Sequence, residues 1–147
     1  MEAAGHKRED LKSFDVGKSA EHVIQADISN IPMPNNVLDV GVFCLSLMGT
    51  NFPAFLREAN RVLRRPDGSQ DGGILFIAEV LSRFSDNDCQ TFLKCVQEQA
   101  GFRSLKVSKL KDFFYVMVLE KEKEARKCAD VTKEFEDSLK PCLYKKR

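Results

Sequence analysis

The sequence predicts an α/β fold in which a mostly parallel sheet closes with an antiparallel hairpin. Three observations predict it. The runs at residues 40–45 (VGVFCL) and 74–80 (ILFIAEV) are short, almost unbroken and apolar. Such runs read as strands buried on both faces of a parallel sheet. A segment with helical period lies between them, as a parallel connection requires. Finally, residues 113–120 (FFYVMVLE) follow a weakly alternating stretch across a turn at Lys111-Asp112, which is the pattern of a hairpin. In open α/β sheets ligands sit at the carboxyl ends of the strands, so the floor of a site is expected at residues 44–49.

Each element has its own justification. Residues 1–11 carry no apolar period and are expected to be disordered. Ser13-Phe14-Asp15-Val16 and residues 23–28 (VIQADI) are short strand candidates, each with an aspartate near its end. Gly17-Lys18-Ser19 is a turn between them. Pro32 and Pro34 remove donors and make residues 31–36 a loop. The third strand lies within residues 38–51, whose second half turns small and polar. A helix is predicted over residues 52–64, because Phe52, Phe55, Leu56, Ala59 and Leu63 share one face. Asn51 or Thr50 can cap it, Pro53 is tolerated in its first turn, and Glu58 and Arg61 are expected on its wet side. Residues 66–73 form a loose loop. Ser85-Asp86-Asn87-Asp88 resembles a capping box, and it precedes a helix faced by Cys89, Phe92, Leu93, Val96 and Ala100 that stops at Gly101. Residues 121–140 are highly charged and sparsely apolar, and are expected to be a frayed helix or tail.

The composition narrows the function. Lys and Arg number 23 against 22 Asp and Glu, so net charge makes no case for nucleic acid or an anionic membrane. No apolar run approaches the roughly 18–20 residues of a membrane span. The five cysteines form no CxxC, and His6 and His22 are the only histidines, so no zinc spacing exists. An odd cysteine count and a polar N-terminus favour free thiols in a reducing compartment. No nucleophile–histidine set is credible with both histidines near the N-terminus.

Several residues admit two roles. Asp15, at a strand end, can accept hydrogen bonds from a ribose diol, or it can cap its own turn, which is the more frequent role. Asp27 can take an adenine amino group or close an Asx turn. Cys44 can lend its backbone to an adenine pocket or serve as a small buried hydrophobe. Glu79 reads as a solvated strand-end carboxylate in preference to a site residue, Phe113-Phe114 as core, and Lys121 to Lys127 as a solvated helix face.

Residues 43–51 (FCLSLMGTN), 55–63 (FLREANRVL), Gly72-Gly73 before ILFIAEV, and Ser82-Arg83-Phe84 together resemble the methyltransferase domain of the ribosomal RNA-processing protein 8 (nucleomethylin) family. The last eight residues resemble the end of that family's proteins, so the similarity covers residues 12–114 and 140–147. It implies a Rossmann-like class I S-adenosylmethionine-dependent methyltransferase fold, with residues 12–122 a partial methyltransferase domain and 123–147 a charged tail. It also implies S-adenosyl-L-methionine as cofactor, N1 of an adenine in large-subunit ribosomal RNA as substrate, a nucleolar and nuclear location, and chromatin-silencing partners in animals. Carried over by residue, Asp15 would hold the ribose, Asp27 and Ile28 would cup the adenine, and Cys44 would lie against the cofactor. Residues 46–51 would form the floor beneath the methyl group and the target base. No catalytic base and no metal are implied.

One departure carries an expectation. Nothing before Asp15 resembles a strand followed by G-x-G, so the family's first strand and glycine-rich cofactor loop are expected to be missing and the fold incomplete. Glycines there let the backbone approach the methionine end of the cofactor, and the following helix N-terminus favours its carboxylate. The strands ending at Asp15 and starting at Leu38 would then pair directly or leave free edges. An inactive fragment or isoform, acting at most as a binding module, is therefore the alternative to an active enzyme. A dimer whose partner covers the open sheet is a third possibility.

Overall fold

The structure, a computed structural model, describes residues 11–17, 20–86 and 89–141. The expectations for residues 1–10, for Lys18-Ser19, for Asn87 and Asp88 and for 142–147 lie outside the described residues. Among the described residues, six strands form two sheets. β1 (Ser13–Asp15) and β2 (Val23–Gln25) pair in parallel. β3 (Val40–Cys44), β4 (Ile74–Val80), β5 (Phe102–Leu110) and β6 (Phe114–Lys121) make a second sheet in the order β3-β4-β6-β5. Within it β3 and β4 are parallel, and β4–β6 and β6–β5 antiparallel. The α/β class with a closing antiparallel hairpin is thus observed. The hairpin turns through Lys111 and Asp112, both at φ 53°. That backbone suits the right-handed twist of the flanking strands.

β3 departs from its expected burial. Val40 and Val42 are 53% and 58% exposed, while Phe43 is buried. Among the described residues β3 is an edge strand, and no strand joins it to β1. Only the face carrying Gly41 and Phe43 packs inward; a Cβ on Gly41 would touch Leu75 and Leu63.

α1 (Phe52–Val62) buries Phe52, Phe55, Leu56 and Ala59, as its period predicts. Asn51 caps it through its backbone alone, Ala54 N–H donating to Asn51 O at 3.0 Å. Glu58 is not on a wet side: it is buried and paired with Arg61, whose guanidinium also donates to the carbonyls of Ile31 and Met33. The loop after β2 folds back over that position and removes it from solvent. α2 (Gln90–Cys95) continues as a π-helical turn, Val96–Ala100. Its N-cap residue is Cys89, at φ 50°, and the Asp86 carboxylate ahead of it accepts Thr91 N–H at 3.0 Å and Thr91 Oγ–H at 3.1 Å. Gly101 ends the helix at φ 79°, where a side chain would clash with the Lys123 carbonyl.

Through Lys140 the charged C-terminal segment is packed. α3 (Lys133–Asp137) drives Phe135 into the core, and Leu139 follows. Phe52, Phe92 and Phe135 form an aromatic cluster with ring centroids 5.6–6.4 Å apart. Two buried amides secure the segment. Asn60 donates to Ala100 O and Lys123 O, and Gln99 exchanges two hydrogen bonds with Thr132. Lys121 is not on a solvated face either. It is fully buried, and its ammonium donates to Asn36 Oδ1, Asn60 O and Leu63 O at 2.8, 2.5 and 3.0 Å. Two of these acceptors are carbonyls left over at the end of α1, which a cation satisfies well.

Candidate functional site

The expected site residues fall at strand ends. Asp15 closes β1 and is exposed; its Oδ1 accepts the Gly17 N–H at 3.2 Å. Ala26 N–H donates to Asp15 O at 2.8 Å, so the chain leaving β2 passes beside it and Asp27 follows directly. Asp27 is exposed, and its Oδ1 accepts Ser29 Oγ–H at 2.7 Å and Ser29 N–H at 2.8 Å. The Ser29 hydroxyl and then its N–H hold the Asp27 carboxyl below the ordinary aspartate range, so it is an acceptor at neutral pH. Each aspartate thus makes a local turn bond through one oxygen, and among the described residues no hydrogen bond is seen to the second. Ile28 is half-buried and packs against the core from the same loop.

Cys44 ends β3, exposed, opposite Ala78 of β4. The structure therefore brings Asp15, Asp27 and Ile28 together at one sheet end and places Cys44 at the end of the other. Among the described residues no hydrogen bond joins the two groups. After Cys44 the chain turns sharply. Leu45 sits at φ 54° with its N–H on Ala78 O, Ser46 Oγ–H donates to Cys44 O, and Gly49 sits at φ 85°.

The residues that fix this turn were not expected to matter. Glu79, read as a solvated carboxylate, is 1% exposed. Its Oε1 accepts the Leu47 N–H at 3.1 Å, and its Oε2 accepts the Arg83 Nη1–H at 2.8 Å. Arg83 is buried as well; Nη2 donates to Leu47 O at 2.6 Å and Nε to Lys140 O at 2.8 Å. Both backbone groups of Leu47, itself fully buried, are held by one ion pair. The period of β4 carried the signal, since Leu75, Ile77 and Glu79 lie on one face. A cleft of about 370 Å³ opens beside the pair, lined by Val80, Ser82, Phe84, Asp86, Phe113 and Lys140 among others.

Strand-end carboxylates are the kind of group that accepts from a ribose diol or an exocyclic amine, and Ile24 and Val42, exposed in the middle of β2 and β3, offer apolar surface. Among the described residues no glycine-rich turn follows a strand to cradle an anion, and no cluster of three His, Cys, Asp or Glu side chains is placed to bind a metal.

Known proteins give the context. A family model described as hypothetical methyltransferase matches residues 2–147. The 25S rRNA (adenine(645)-N(1))-methyltransferase of Schizosaccharomyces pombe is 38% identical over 137 residues, covering 93% of this chain and 40% of that protein. Ribosomal RNA-processing protein 8 of Arabidopsis thaliana is 41% identical over 143 residues, covering 92% of this chain and 45% of that protein. The chain thus spans less than half the length of these relatives. Among solved structures, a SAM-dependent methyltransferase from Aquifex aeolicus aligns with TM-score 0.51 at 17% identity, covering 69% of this chain and 56% of that one. The 16S rRNA N2 G1207 methyltransferase RsmC of T. Thermophilus, solved with AdoMet and guanosine, aligns with TM-score 0.51 at 22% identity, covering 72% and 25%. The [4+2]-cyclase SpnF aligns with TM-score 0.54 at 17% identity, covering 68% and 55%. These likenesses establish the Rossmann-like methyltransferase fold and not a reaction.

Proposed function

The chain belongs to the methyltransferase family whose model spans it, and from that premise we propose that it acts as an S-adenosylmethionine-dependent methyltransferase of the ribosomal RNA-processing protein 8 type. Its substrate is N1 of an adenine in large-subunit ribosomal RNA, and its place is the nucleolus. The observation that carries the reading is the parallel pairing of β1 with β2, which brings Asp15 and Asp27 to one sheet end.

Asp15 accepts from the ribose hydroxyls of the cofactor. Asp27, ionised and steadied by Ser29, accepts from the adenine amino group, with Ile28 against the ring. Cys44 brings its backbone to the cofactor, and residues 46–51 floor the pocket where the target base enters. When bound, the cofactor supplies a methyl group activated on a sulfonium sulfur. The neutral ring nitrogen takes it with its own lone pair, so the protein's task is alignment and exclusion of water, not proton abstraction. The target base must leave its stack to reach the pocket.

The test is methyl transfer from radiolabelled S-adenosylmethionine, at millimolar concentration, to large-subunit ribosomal RNA that lacks the modification. Primer extension locates the product, because a methyl on N1 blocks Watson–Crick pairing. A stop at a single adenine is expected. RNA binding without any transfer would overturn the reading in favour of a binding module.

A further inference from the structure

We infer that Glu79 and Arg83 are positioning residues that set the conformation of residues 46–51, the floor of the proposed site; the consequence for ligands rests on that functional reading.

The loop needs an external hold. It follows a left-handed Leu45 and passes a left-handed Gly49, so its backbone does not settle by local preference. Between these points only Leu47 is driven inward, and its N–H and C=O leave the solvent with it. A buried backbone pair requires partners, and no strand offers them here. Glu79 takes the N–H and Arg83 the C=O, while the two side chains neutralise each other at 2.8 Å. The fork of the guanidinium is essential, because one cation must serve Glu79, Leu47 O and Lys140 O together.

The arrangement also reaches further than the loop. Lys140 N–H donates to Arg83 O at 2.6 Å, Ser85 N–H donates to Ser138 O, and Phe84 bridges Leu139. Arg83 therefore links the site floor to the point where the C-terminal segment leaves the core. A structural ion pair could have been built from any two buried side chains. This one holds both backbone groups of one residue of the site loop and, through Arg83 Nε, the Lys140 carbonyl.

Arg83→Lys separates positioning from charge pairing. It keeps a cation against Glu79 and gives up the fork. Lys121→Met is the control, since it removes another buried cation at the opposite end of β4. Hydrogen exchange and amide NMR shifts are measured on the full chain, with and without millimolar S-adenosylhomocysteine. In Arg83→Lys, exchange at Leu47 is expected to quicken about tenfold or more, with Ile77 and Met117 amides unchanged. The ligand shifts at Cys44 and Leu47 are expected to vanish, while those at Asp15 and Asp27 persist. Lys121→Met is expected to leave the loop and its ligand shifts intact. Equal behaviour of the two variants, or a loop unmoved in Arg83→Lys, would overturn the inference. Absence of ligand shifts in the unmutated protein would instead refute the functional reading, and the exchange data would still decide the role of the pair.

Discussion

Replacing Lys121 with methionine should cost about 2–4 kcal/mol of stability, and the structure supplies the terms. Methionine fills nearly the same volume but donates nothing. Asn60 O and Leu63 O then lose their donor in a buried site, and Asn36 Oδ1 loses its donor in a partly buried one. Each buried acceptor left stranded costs about 1–3 kcal/mol and Asn36 less, so the gross loss is about 2–7 kcal/mol. Against it stands the desolvation of an ammonium, several kcal/mol, which methionine avoids. The partial offset by Glu124, 3.7 Å away and more than half exposed, is small. For a domain of this size the net loss lowers the melting midpoint by about 10 °C. The pH dependence follows from the same burial. Burial holds the Lys121 pKa below its ordinary 10.5, with Glu124 pulling it back. The unfolded chain then binds this proton more tightly than the folded one, so folding gains as pH rises toward 10.5. The stability gap between wild type and Lys121→Met should therefore widen as pH rises toward 10.5. Urea unfolding followed by far-ultraviolet dichroism measures both effects. A variant within about 1 kcal/mol of wild type, or a gap that narrows with pH, would refute the reasoning.

Two further outcomes are expected. Gly101→Ala should destabilise by about 2 kcal/mol or more in the same unfolding assay, because φ is 79° and the new methyl meets the Lys123 carbonyl. In thiol alkylation at about pH 8 read by peptide mass spectrometry, exposed Cys44 and Cys128 should react while Cys95 stays unmodified. Burial, reinforced by Glu134 and Glu98, pushes the Cys95 thiol up to about 11.

What the sequence shows of the fold follows the reach of its signals. β4, β6 and α1 were legible because their periods span enough residues to fix a face. Glu79 was misread by its position near the strand end, although the alternation of Leu75 and Ile77 points it inward. Its partner could not be read, since Arg83 lies past the strand in a 3₁₀ turn. The C-terminal segment looked loose because its apolar residues are sparse. What secures it are hydrogen bonds with Asn60 and Gln99, 33 or more residues away, and such pairings leave no local trace. The exposed face of β3 was equally hidden, because Val40 and Val42 look the same whether or not a neighbour covers them. Asp15 and Asp27 were legible as strand-end carboxylates, while their approach to each other depends on the register of β1 with β2.

The most direct test of the cofactor site is titration with S-adenosylhomocysteine followed by amide NMR shifts. Shifts confined to Asp15, Asp27, Ile28 and Cys44 and their loops are expected. Asp15→Ala should weaken that binding by about 1–3 kcal/mol. Shifts confined to other surfaces, none at any of these residues in saturating ligand, or an unchanged affinity in Asp15→Ala would contradict the assignment.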